Sequence, residues 1–162
     1  MTPEQQRAAE EFKRLRGVDP FGPFIDLLVS PELMTRVSAL GEYLRYRSSL
    51  PPRLSEFAIL VTAAHWQQQF EWDIHAPIAL KAGVTQATID ALWNGERPAN
   101  LDADTEALYD VCIALHDDRV LPRETRQRAE AQLGEQQVMD AIAICGYYAL
   151  LAMVLNASVS VP

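Results

Sequence analysis

The stretch AIAICGYYALLAMVL, residues 141–155, constrains this chain more than any other. It is apolar on every helical face, and a helix of that kind belongs in a core or a subunit interface. It falls short of the ~18–20 residues that cross a bilayer, and glutamines and acidic residues precede it. The expectation is a covered helix in a protein that forms homo-oligomers.

The remainder also reads as helices. No segment alternates Val, Ile and Thr over several residues, and no Asn-Gly or Asp-Gly turn joins two such runs. A charged amphipathic helix over 3–16 is ended by Gly17, and GVDPFGP (17–23) is a loop. Ser30 offers a capping hydroxyl before Pro31, and Leu33, Val37, Leu40 and Leu44 follow at helical spacing to about Arg47. SSLPP (48–52) breaks that helix. From Arg53 another runs through Phe57, Leu60, Val61 and Ala64. Near Gln67–Phe70 it either continues or restarts, then reaches Lys81 and closes at Ala82-Gly83. Thr85 caps a short helix over 86–93. Helices at about 103–120, with Leu108, Val111, Cys112 and Leu115 as core face, from Pro122 to Leu133, and at about 135–156 complete the chain. No repeat or long linker divides it. The reading is one all-α domain over 1–162, with its core at about 30–157.

Fourteen Lys and Arg face 22 Asp and Glu, a net charge of −8 with no basic cluster, which argues against nucleic acid and anionic membranes as partners. The N-terminus is polar and lacks the apolar core of a secretory signal, so the cytoplasm is the expected compartment. Cys112 and Cys145 lie in apolar helical stretches without a partner motif and read as small core residues.

Chemistry concentrates in residues 54–83. At ~100° per residue, His65, Gln68, Glu71, Trp72 and His75 share one side of a straight helix. Glu71 and His75 stand at i,i+4, where the carboxylate can bond and orient the imidazole. Glu56 points elsewhere unless the chain bends near Gln67–Phe70. The plainer alternative makes Glu71 and His75 a solvated surface pair and Glu56 a first-turn carboxylate favoured by the helix dipole. His65, Glu71 and His75 could also supply three metal ligands, but their spacing is neither H-E-x-x-H nor the Glu-x-x-His of di-iron bundles, so no metal is expected. Neither a Gly-x-Ser-x-Gly elbow nor a Gly-rich phosphate loop is present. His116-Asp117-Asp118 reads as a polar helix end, and Tyr147-Tyr148 as core.

The run PPRLSEFAILVTAAHWQQQFEWDIHAPIALKAGV (51–84) resembles the carboxymuconolactone decarboxylase family, which includes AhpD-like alkylhydroperoxidases. Arg53 and Glu56 open the helix, Glu71-Trp72 and His75 follow, and Leu80-Lys81-Ala82-Gly83 closes it. Residues 30–53 and 146–157 also look like family segments. The resemblance implies an all-helical AhpD-like fold assembling into dimers, trimers or hexamers. The redox branch of the family carries Cys-x-x-Cys at the positions of Gln68 and Glu71 in this chain. Neither residue can form a thiolate, so peroxidase chemistry at that site has no nucleophile.

What remains resembles the acid–base branch, whose decarboxylase converts 4-carboxymuconolactone to an enol-lactone. Such a reaction needs no cofactor if the electrons left by carbon dioxide spread into the conjugated lactone. Histidine, with an ordinary pKa of about 6.5, suits the proton transfer. The resemblance thus implies proton transfer by His75, orientation by Glu56 or Glu71, and a pocket for a small-molecule substrate lined by His65, Gln68 and Trp72. Because the net charge repels an anion, Arg53, Arg45 or Arg47 would have to attract it. The remaining alternative is a helical oligomer without catalysis.

Overall fold

The computed structural model describes residues 1–158, so the end of the expected 1–162 domain lies outside it. Among the described residues every regular element is a helix. They form two compact units, one from residues 1–47 with residues 150–158, the other Ser48–Ala149.

In the first unit, α1 (Pro3–Arg16) begins with a reciprocal cap: Thr2 Oγ1 accepts from the Gln5 N–H, and Gln5 Oε1 accepts from the Thr2 N–H. Gly17 ends it at φ 74°, a left-handed conformation that glycine enters without a Cβ clash. The segment expected as a loop runs into a short helix, α2 (Pro23–Leu27), because Pro23 presets a helical φ at its first position. This turn carries Phe24 onto Phe12, with ring centroids 4.6 Å apart. Helix α3 (Pro31–Tyr46) starts after Ser30 as expected, but the Ser30 hydroxyl makes no capping bond. At φ −123°, ψ 82° its backbone lies outside the usual capping geometry, and Pro31 alone sets the start. The buried stripe is Met34, Val37, Gly41 and Leu44, whereas Leu33 and Leu40, expected in the core, are exposed.

In the second unit, α4 (Pro52–His65) is the hub, buried at every residue from Leu54 to Ala64. It packs against α5 (Gln69–Ala82), α6 (Gln86–Trp93) and α7 (Ala103–Ile113). Thr85 caps α6 by accepting from the Thr88 N–H. Helix α8 (Arg123–Leu133) packs on α7, and Val111, Ala129 and Val138 join α7, α8 and α9 (Glu135–Ser158) in one cluster. Asp140 of α9 accepts from both the N–H and the hydroxyl of Ser49, at 2.8 and 2.7 Å.

Two helices depart from expectation. The helix expected over about 103–120 widens after Ile113 into a π-helical turn, Ala114–Asp118, closed by Arg119 at φ 60°. Helix α9 outruns its apolar core. By length and composition alone it is long enough to cross a membrane, and half of its most apolar window is buried inside the protein.

Candidate active site

Two helices meet at a break. Helix α4 stops at His65, and the chain turns through Trp66, Gln67 at φ 48° and Gln68 before α5 begins. Gln67 holds the turn by donating from Nε2 to the Ala64 carbonyl at 2.8 Å. The Gln68 side chain starts the next helix by accepting from the Phe70 N–H at 3.0 Å. Its role is therefore local and structural as well as positional.

The break carries Glu56 to His75. His75 Nδ1 lies 2.7 Å from Glu56 Oε2, a charge-assisted hydrogen bond between α4 and α5. The other ring nitrogen, Nε2, faces Glu71 Oε2 at 3.6 Å, an electrostatic pairing too long for a hydrogen bond. Glu71 sits in the first turn of α5, where the helix dipole favours a carboxylate. The three residues are 6%, 4% and 2% exposed for Glu56, Glu71 and His75, which discards the solvated surface pair. An edge-on Tyr148 ring, 5.1 Å from His75 at 88°, fixes the imidazole plane from α9. Trp72, on the same helix, is buried against Trp93 with centroids 4.7 Å apart.

Such a row of carboxylate, imidazole and carboxylate can accept a proton at one ring nitrogen while releasing another from the opposite one. Buried as it is, the row has the elements that acid–base chemistry requires.

His65 lies elsewhere. The same break that recruits Glu56 leaves His65 at the end of α4, where its ring stacks on His116 at 4.7 Å and its Nδ1 stands 3.4 Å from Asp117. The shared face with His75, expected on a straight helix, does not form. His65 instead lines a cavity of about 180 Å³ with Tyr109, Glu96, Ile113 and Asp117, and none of Glu56, Glu71 or His75 lines it. Burial, reinforced by His116, holds the His65 pKa below its ordinary value, with Asp117 offsetting part of that.

Arg53 donates to Asp104 at 2.7 Å and to the Thr105 hydroxyl, so its charge is already engaged. It borders a smaller cavity with Asn100, Asp102 and Thr105. In the first unit, Arg47 is paired with Glu42, and Arg45 lies over Tyr46. Among the described residues no group of three or more His, Cys, Asp or Glu is arranged to hold a metal ion.

The local spacing in the sequence missed one cluster. Cys112 and Cys145 are buried as expected, but their sulfurs lie 3.5 Å apart, beside Thr62 and His116. Helical periodicity identified Cys112 as a core position, and nothing local marks which helix faces it.

Residues 31–111 match the family model described as the carboxymuconolactone decarboxylase family. The fold is similar to that of the debrominase Bmp8, solved in its apo form, with a TM-score of 0.72 over 96% of this chain and 83% of that one, at 13% identity. At that identity the likeness speaks for the fold alone. No match is found among curated proteins.

Proposed function

Given that the chain belongs to the carboxymuconolactone decarboxylase family, we propose that it is an acid–base enzyme acting on a small lactone or related carboxylic acid. The observation that carries this reading is His75 held at both ring nitrogens by buried carboxylates from two helices.

In the decarboxylation that the family name describes, the bond to the leaving carboxylate breaks and its electron pair spreads into the conjugated lactone as an enolate. His75 then gives a proton to the carbon, and Glu56, bonded to Nδ1, stabilises the imidazolium and fixes the ring. Glu71 faces the ring nitrogen on the opposite side and is placed to take part in restoring the proton. Delocalisation into the lactone lets this chemistry run without a bound cofactor. The thiol-dependent chemistry of the family's redox branch is disfavoured here, since Gln68 and Glu71 stand where that branch has its cysteines.

The test is turnover of 4-carboxymuconolactone and a panel of small lactones and unsaturated acids, followed by ultraviolet absorbance and carbon dioxide release. His75→Gln should lower kcat by about 10²–10⁴-fold, with a smaller effect on KM. Wild-type turnover that survives His75→Gln undiminished would exclude this centre.

A further inference from the structure

A second cluster, outside the Glu56–His75–Glu71 row, has the geometry of a reactive thiol site. We propose that Cys112 and Cys145 form a redox-active dithiol that hydrogen peroxide converts to a disulfide joining α7 to α9, with Cys145 as the attacking sulfur.

The sulfurs stand 3.5 Å apart on adjacent helices, both reduced and buried. A disulfide at about 2.05 Å requires them to approach by only about 1.5 Å. Proximity alone would describe two core residues. The polar groups around Cys145 are harder to account for in that way, because a core sulfur needs no hydrogen-bond donors. Thr62 Oγ1 lies 2.9 Å from His116 Nε2 and 3.0 Å from the Ala58 carbonyl, and Thr62 and His116 both act electrostatically in favour of the thiolate form of Cys145. A hydroxyl has one proton, so when Thr62 donates to Ala58 or Cys145 its oxygen accepts from the His116 Nε2–H.

These donors favour a thiolate on Cys145. Its pKa is pushed down to about 5, first by the Cys112 thiol and then by His116 and Thr62, against the opposing effect of burial. Cys112 is pushed the other way, by the same pairing and by burial. The two sulfurs are therefore unlike, one poised to attack and one holding its proton.

The π-helical turn supplies the histidine. His116 lies within Ala114–Asp118, and π turns recur at functional sites because the extra residue re-aims side chains. Half-exposed His116 links the thiol to the surface, and its ring stacks on His65, which lines the cavity of about 180 Å³. The cavity thus ends one ring away from the partner of Cys145, and the space suits a small uncharged oxidant.

The reaction balances with hydrogen peroxide as the oxidant. The Cys145 proton has passed to solvent, and the thiolate attacks one peroxide oxygen. The O–O bond breaks, and the departing hydroxide takes a proton back from solvent and leaves as water. Cys112 sulfur then attacks the Cys145 sulfenic acid, the S–S bond forms, the S–O bond breaks, and the second hydroxide leaves as water with the Cys112 proton. Two thiols lose two electrons, and peroxide is reduced to two waters.

The test treats the folded full-length protein with hydrogen peroxide and reads intact mass and non-reducing peptide maps. The wild type should lose two hydrogens and yield a Cys112–Cys145 cross-linked peptide that dithiothreitol reverses. Cys112→Ser should accumulate a Cys145 sulfenic acid trapped by dimedone, and Cys145→Ala should leave Cys112 unreacted over the same interval. His116→Asn should move the rise of the Cys145 oxidation rate to higher pH, leaving the rate above that rise little changed. Circular dichroism of each variant separates lost chemistry from lost folding. Thiols that stay intact in wild type until urea unfolds it, or a Cys112 that reacts as fast alone as Cys145 does, would overturn the proposal. Neither outcome bears on the lactone reading, because no member of the cluster belongs to the His75 row.

Discussion

His75 is hydrogen-bonded to Glu56 and faces Glu71, both buried, so its neighbours are costly to remove. Deleting Glu56 leaves the buried His75 imidazole without its hydrogen-bond partner at Nδ1. Glu56→Ala should destabilise the protein by about 3 kcal/mol, in the range for breaking a buried ion pair from one side. In urea unfolding, the Glu56→Ala/His75→Ala double variant should cost less than the sum of the two single changes. A different histidine governs acid sensitivity. The folded His65 binds its proton less readily than the unfolded chain does, so its contribution is complete above its ordinary pKa of about 6.5 and is lost as pH falls below that value through the lower folded one. His65→Gln should flatten that part of a melting-temperature profile. At this scale the sequence made Glu71 and His75 legible, since i,i+4 spacing belongs to a single helix. It could not pair Glu56 with His75, because that depends on a backbone angle at Gln67 that no residue type there demands.

At the scale of elements, the break between α4 and α5 determines the site. Gln67 occupies the left-handed region, which a β-branched side chain tolerates poorly. Gln67→Val should cost about 1–2 kcal/mol and, by reshaping the turn, pull Glu56 from His75, so activity should fall further than stability explains. Gly83 ends α5 at φ 103° with only the Arg53 Cδ near an added Cβ, at an ordinary 3.6 Å. Gly83→Ala should therefore cost about 1 kcal/mol through backbone strain rather than crowding, measurable as a lower midpoint in urea. Most helix ends were legible for the same reason: Gly17, Thr85 and Gly83 act through their own backbone or hydroxyl. The exceptions depend on distant packing. Helix α2 hides in a proline- and glycine-rich segment, Pro77 sits inside α5 although proline ordinarily ends a helix, and nothing in ALHDD marks a π turn.

At the scale of the whole molecule, we propose the homo-oligomer that the family resemblance implies, a dimer, trimer or hexamer. Helix α9 leaves Met139, Leu150 and Met153 exposed, and α3 does the same with Leu33 and Leu40. Sedimentation velocity over a concentration series should show one closed assembly, and Met153→Lys should shift it toward the monomer; a monomer at every concentration would refute this. The turn at Ala114–Asp118 also bears on how the chain tolerates changes in length. A π turn holds one residue more than an α-helix over the same rise, so deleting one residue there would leave the backbone an acceptable helix. The deletion would rotate His116 by ~100° relative to whichever flank stays fixed and take it from Thr62. One lost codon could thus silence the thiol cluster without touching the His75 row, and relatives differing by one residue at this point would be expected to differ in their response to oxidants.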